Sequence, residues 1–124
     1  MKIAAPKELL KDENRVALTP SSAVELMKLG HECIIQSGAG EAARYDDGAY
    51  KAVGVKVLKS ASALWKEADV IIKVRAPEEE EMKRFRTGQL LVSFIWPAQS
   101  KKALEDYKTS GVTAIAMDMV PRIS

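Results

Sequence analysis

The sequence predicts an open α/β domain in which a mainly parallel sheet is flanked by helices in three layers. Three observations predict it. Short apolar runs alternate with amphipathic segments through all 124 residues. The strongest runs, Val70-Ile-Ile72 and Leu90-Leu-Val-Ser-Phe-Ile95, are continuous rather than alternating, which marks strands buried on both faces. Cap and turn residues punctuate the junctions, and strands alternating with helices imply parallel crossovers.

Taken in order, Lys2–Ala5 is a first strand. Thr19 and Pro20 open a helix as N-cap and first helical residue. Val24, Leu26, Met27 and Leu29 supply its apolar stripe, and Gly30 ends it. Glu32–Gln36 is the second strand. Asp46 or Asp47 caps a short helix through Tyr50 and Val53, closed by Gly54. Val55–Leu58 forms a strand and Ser60–Ala68 a helix around Leu64 and Trp65. Asp69–Val74 is the next strand. The acidic start Pro77-Glu-Glu-Glu-Glu81 suits the positive end of a helix dipole and reads as solvated. Leu90–Ile95, a helix over Ser100–Ser110 and a last strand Val112–Met117 complete six strands and about five helical segments.

The 47% hydrophobic and 29% charged shares are those of a water-soluble single domain. The 19 basic and 17 acidic residues are interspersed, so no basic stripe for nucleic acid is present. The opening Met1-Lys-Ile-Ala-Ala-Pro6 is too short and too soon charged for a signal peptide, and no apolar run reaches the ~20 residues of a membrane span. The lone Cys33 lies in the apolar run Cys33-Ile-Ile35 and reads as a small buried hydrophobe, in keeping with a reducing cytoplasm. The only histidine, His31, follows a helix end with no second ligand nearby and reads as a surface residue.

Gly38-Ala-Gly40 follows a strand, as the opening of a dinucleotide fingerprint does. The pattern then fails. Ala43 stands where the third glycine is most common, Arg44-Tyr-Asp-Asp47 interrupts the helix, and no acidic residue closes a second strand about 20 positions on. These glycines read as a structural turn, with Gly40 required if its φ is positive.

Two basic residues fall at strand carboxyl ends, where open α/β sheets bind ligands. Arg15, in Glu13-Asn-Arg15-Val-Ala-Leu-Thr-Pro20 beyond Lys7-Glu8, can hold a carboxylate bidentately or be tied to Glu13 or a carbonyl. Lys73 ends the Val70 strand and is either an anion ligand or shifted base, or a lysine snorkelling to water. Trp96-Pro97 can wall a pocket or cap the core.

In this order, Lys2-Ile-Ala-Ala-Pro-Lys-Glu8, Glu13-Asn-Arg-Val-Ala17, Leu29-Gly30, Ser37-Gly-Ala-Gly40, Asp69-Val-Ile-Ile-Lys-Val74, Ala76-Pro77, Leu91-Val-Ser-Phe-Ile-Trp-Pro-Ala-Gln99 and Ala116-Met-Asp-Met-Val-Pro-Arg-Ile-Ser124 resemble the first domain of the alanine dehydrogenase and pyridine-nucleotide transhydrogenase family. The resemblance covers essentially the whole chain and implies a flavodoxin- or Rossmann-like fold for residues 1–124. The Phe-Ile-Trp-Pro-Ala-Gln wording is similar to the alpha-subunit branch of bacterial proton-translocating transhydrogenases. The alanine dehydrogenase branch carries a catalytic histidine in the loop after the fifth strand, and Ser93–Gln99 holds none.

By that resemblance, Arg15 and Lys73 match positions that hold a substrate carboxylate in alanine dehydrogenases, and Arg122 matches an arginine of an NAD-contacting loop. It also implies that residues 1–124 are a fragment preceding an NAD-binding domain they do not contain. The implied parent uses NAD(H), passes hydride to NADP+ and couples this to proton passage. Its partners would be the rest of the alpha subunit and a beta subunit, with a homodimer possible, at the cytoplasmic face of the inner membrane. The segment alone is expected to be inactive and to hold no cofactor tightly. An alanine dehydrogenase-like oxidoreductase and a stand-alone small-ligand or partner-binding module are the alternatives.

Overall fold

The computed structural model describes residues 1–9, 13–75, 81, 84, 88–95 and 113–116, with the backbone alone for 94–95 and 113–116. Six strands, β1 (Lys2–Ala5), β2 (Glu32–Gln36), β3 (Lys56–Leu58), β4 (Val70–Arg75), β5 (Leu90–Ile95) and β6 (Thr113–Ala116), form one sheet in the order β3-β2-β1-β4-β5-β6. Every pairing is parallel, with Ile3 opposite Cys33 and Val70, and Lys73 opposite Ser93. The expected parallel sheet is therefore present, with strand ends shifted by a residue at β3 and β4. Among the described residues no helix is long and apolar enough to cross a membrane.

Three helices are described, α1 (Pro20–Lys28), α2 (Asp47–Ala52) and α3 (Ala61–Glu67). Each starts where a short polar side chain can take an orphan amide: Thr19 accepts from Ser22 N, Asp46 from Ala49 N and Ser60 from Ala63 N. Ser22 returns the bond to the Thr19 amide, completing a reciprocal cap. Gly30 and Gly54 end α1 and α2 with φ of +94° and +98°, a conformation that L side chains resist. The expected helix over 100–110 lies outside the described residues, as do Glu78–Glu80 of the acidic run.

Strand order places α1 and α2 on one face and, by right-handed crossover, α3 on the other. Leu18, Ala23, Tyr50 and Val55 bury against Ala5, Cys33 and Ile35 on the first face, with Leu26, Met27 and Ile72 packed beside them. Leu29 is not in this stripe: it is 75% exposed, because α1 turns it away past the last helical turn. On the second face, Leu64 and Trp65 of α3 are buried where Ala4, Ile34 and Ile71 alternate with the first set. Gln89, at the start of β5, donates its side-chain amide to Trp65 O and Ala68 O at 2.7 and 2.9 Å. It thereby satisfies carbonyls that the end of α3 leaves open.

Cys33 is buried, and burial pushes its thiol pKa up, as expected of an inert core cysteine. His31 corrects the surface reading. It is half-buried, and its Nδ1 is enclosed without a hydrogen-bond partner among the described residues.

Candidate functional site

The strand order reverses between β1 and β4, so the crevice of this sheet opens at their carboxyl ends. The connection leaving β1 is built to sit there. Pro6 has no amide to continue a ladder, and Lys7 N donates to Gln36 Oε1 at 2.8 Å, tying the connection to the end of β2. Glu8 then turns back to β4. Its carboxylate accepts the amides of both Val74 and Arg75 at 3.0 Å.

Two charge clusters follow from that arrangement. In the first, Lys73 Nζ lies 3.4 Å from Glu8 Oε1 and donates to both oxygens of Glu81 at 2.9 and 3.1 Å. All three side chains are at most 4% exposed. In the second, Glu13 takes a fork from Arg15, Nε at 3.0 Å and Nη2 at 2.8 Å, and also accepts the Arg15 amide. Arg75 Nε donates to the same carboxylate at 2.7 Å. Bidentate guanidinium contacts of this kind fix geometry as well as charge.

The Arg15 side chain beside Glu13 holds that carboxyl at about 2 against the opposing effect of burial, and Glu13 in turn raises Arg15. Glu13 is thus an anion throughout the physiological range. Its side chain is 3% exposed, whereas Arg15 and Arg75 are 59% and 39% exposed. Each guanidinium carries five N–H donors and spends only part of them on Glu13, so both can still serve an anion in the crevice. Three cations face three carboxylates here, Lys73 between Glu8 and Glu81, and both arginines on Glu13. Guanidiniums with donors to spare suit the recognition of an anion.

The two site residues expected from the sequence, Arg15 and Lys73, fall in different clusters. Arg15 is joined to Arg75 through Glu13, and Lys73 belongs to the buried triad. A snorkelling Lys73 is also excluded, because two carboxylates hold its ammonium inside. Glu81 is likewise no solvated helix residue; it is 3% exposed. Arg75 was legible in principle, since it lies two positions beyond Lys73 and shares its strand face. Glu81 was not, because nothing in a run of four glutamates says which one turns inward. Trp96 and Arg122 lie outside the described residues.

The glycine turn does not fit a pyrophosphate. The Gly38 amide donates to Asp47 Oδ1 at 3.0 Å, and Ser37 Oγ donates to the same carboxylate, which both contacts acidify. Gly38 has φ of +83°. Gly40 has φ of −96°, so a positive φ is not what requires it; a Cβ there would lie 2.6 Å from the Tyr50 hydroxyl and 2.8 Å from Tyr45 O. After a single 3-10 turn, Glu41–Ala43, Arg44 adopts φ of +70° and breaks the helix that a nucleotide loop would start. Among the described residues no group of three or more His, Cys, Asp or Glu side chains is placed to hold a metal ion.

This arrangement has relatives. Residues 4–124 match the family described as alanine dehydrogenase/PNT, N-terminal domain. The chain belongs to that family. It is 56% identical over 124 residues to the NAD(P) transhydrogenase subunit alpha of Cereibacter sphaeroides, and 40% identical to that of Haemophilus influenzae. The alanine dehydrogenase of Mycolicibacterium smegmatis is 40% identical over 120 residues. A solved transhydrogenase from Sinorhizobium meliloti superposes on the whole chain with a TM-score of 0.90 at 32% identity, and an L-alanine dehydrogenase on 94% of it with 0.85 at 34%. The chain spans 24% of the length of the two transhydrogenase subunits and 32% of the alanine dehydrogenase. Family membership thus accounts for the Rossmann-like sheet, whose strand order is β3-β2-β1-β4-β5-β6, and for the motifs at both ends of the sequence.

Proposed function

We propose that the chain serves as the first domain of the alpha subunit of a proton-translocating NAD(P) transhydrogenase, an oxidoreductase passing hydride between NAD(H) and NADP(H). The observation that carries this reading is the 56% identity across all 124 residues to one such subunit, against 40% or less to the alanine dehydrogenases compared. The site supports it. Lys73 is enclosed by the chain's own Glu8 and Glu81, and Ser93–Gln99 has no histidine to act on an amino acid.

On this reading the NAD(H) site belongs to the remainder of the subunit, with Arg122 at its edge, and the beta subunit supplies the NADP(H) side. The assembly works at the cytoplasmic face of the membrane. Hydride transfer needs donor and acceptor rings held at contact distance, so the 124-residue chain by itself catalyses none.

The test is enzymatic. Membranes carrying the gene with its downstream sequence and a partner subunit should reduce an NAD+ analogue with NADPH. In the extended subunit, Arg122→Ala should weaken NADH binding by about 1–3 kcal/mol, the range of a charged hydrogen bond. L-Alanine-dependent NAD+ reduction in place of transhydrogenation would replace this reading with the alanine dehydrogenase one.

A further inference from the structure

We propose that Glu8 is a positioning residue: by binding the last two amides of β4, it aims the Arg75 guanidinium at Glu13 and so fixes the Arg15–Glu13–Arg75 arrangement of the crevice. The inference rests on reading this crevice as the ligand side of the domain. Its test reads geometry directly, so it can fail while the hydride-transfer reading stands, and the reverse.

On its β1 edge, β4 is paired only as far as Ile71 opposite Ala4, so β1 supplies no partner for the Val74 and Arg75 amides, although Arg75 stays in register with Ile95 of β5 on the other edge. Unpaired amides in a half-buried setting are costly. One carboxylate replaces the missing strand: Glu8 Oε2 takes Val74 N and Glu8 Oε1 takes Arg75 N. Fixing both amides fixes the peptide between them and hence the direction of the Arg75 Cα–Cβ bond. A long arginine side chain has many rotamers, and its Nε meets Glu13 at 2.7 Å only from a defined root.

Glu8 could not do this alone. A carboxylate 4% exposed needs a counter-charge, and Lys73 Nζ supplies it at 3.4 Å. Lys73 sits on the same strand, two residues before Arg75, so counter-charge and aimed group share one rigid element. Glu8 and Glu13 also lie on one connection. The first grips the Arg75 backbone and the second its side chain, so β4 and that connection hold each other in register from both ends of one residue. The buried triad thereby sets the position of two half-exposed guanidiniums that it does not touch.

The experiment is NMR on the 124-residue chain. In the parent protein the Arg75 Nε–H should give a slowly exchanging signal. Glu8→Ala should speed its exchange at least about tenfold, together with the Val74 amide, while Ile71 and Ile72 amides in the β1–β4–β5 ladder stay protected. Glu8→Gln retains an acceptor oxygen and should restore part of the protection at Arg75. An unchanged Arg75 Nε–H in Glu8→Ala, with Val74 exposed and the ladder intact, would overturn the proposal, because the side chain would then find Glu13 unaided. If Glu8→Ala does not fold, Glu8→Gln decides: faster Arg75 Nε–H exchange supports the assignment, and exchange equal to the parent's refutes it.

Discussion

Gly40 lies against the ring of Tyr50 so closely that a Cβ on the glycine would stand 2.6 Å from the phenolic oxygen and 2.7 Å from Cε2. The ring cannot withdraw, because its hydroxyl donates to Leu18 O at 2.7 Å inside the core. The turn after β2 is therefore glycine for reasons of contact. Gly40→Ala should destabilise the domain by about 1–3 kcal/mol, the usual cost of overpacking a filled site. Urea denaturation measures this, and a midpoint equal to the parent's would show that turn and ring can separate.

Tyr50→Phe tests the other side of the same contact. It removes the donor to a buried carbonyl and should cost about 1–3 kcal/mol. Burial also pushes the Tyr50 phenol up to about 12 from 10. A raised acid pKa means the neutral form is favoured in the folded state. The associated stability is whole below pH 10 and is lost as pH rises through 12. One of the three tyrosines should ionise late in an absorbance titration, and that late step should vanish in Tyr50→Phe.

Lys73→Met should be among the most damaging single changes in the chain. It leaves the Glu8 and Glu81 carboxylates buried beside one another without their ammonium, a situation that costs about 3–5 kcal/mol. The paired change Lys73→Met with Glu81→Leu should recover part of that loss, since it withdraws one of the stranded charges. Thermal unfolding of both variants provides the comparison. Equal loss in the single and the double variant would contradict a charge-based role for Glu81.

Glu13 predicts an acid-side dependence. Its carboxyl is held at about 2 in the folded chain, chiefly by Arg15, against 4.5 for the free group. A depressed pKa contributes stability that is complete above pH 4.5 and is lost as pH falls toward 2. Because both guanidiniums are partly exposed and screened, the amount is about 1 kcal/mol rather than the full shift. The stability difference between the parent and Glu13→Gln should shrink over that interval. A difference that stays constant from pH 5 to pH 2 would show that the carboxylate gains nothing from its two arginines.

Several features were legible from residue order alone, and each has a local cause. Thr19-Pro20 starts α1 because a hydroxyl cap and a fixed φ act within one turn. Gly30 and Gly54 stop helices because they alone take a positive φ cheaply. Val70-Ile-Ile72 and Leu90–Ile95 declare a parallel sheet because their apolar residues run on without the alternation of a strand wetted on one face. The failure of the Gly38–Gly40 pattern as a nucleotide loop could also be read from its spacing.

The charge clusters belong to the other category. Glu8 and Val74 are 66 residues apart, and Arg75 and Glu13 are 62 apart. Nothing within a window of neighbours tells a glutamate which amide or guanidinium it will meet. Lys73 at a strand end reads equally as an anion ligand or a snorkelling lysine, and Glu81 in an acidic run reads as solvated, until the sheet order brings the end of β4 beside the exit of β1. The sequence by itself determined the strands, the three described helices, their parallel pairing and the family, because caps, periodicity and turns act between near neighbours. Only the tertiary structure decided which charges are buried together, because electrostatic partnership depends on distance and solvent exclusion, and chain order carries neither.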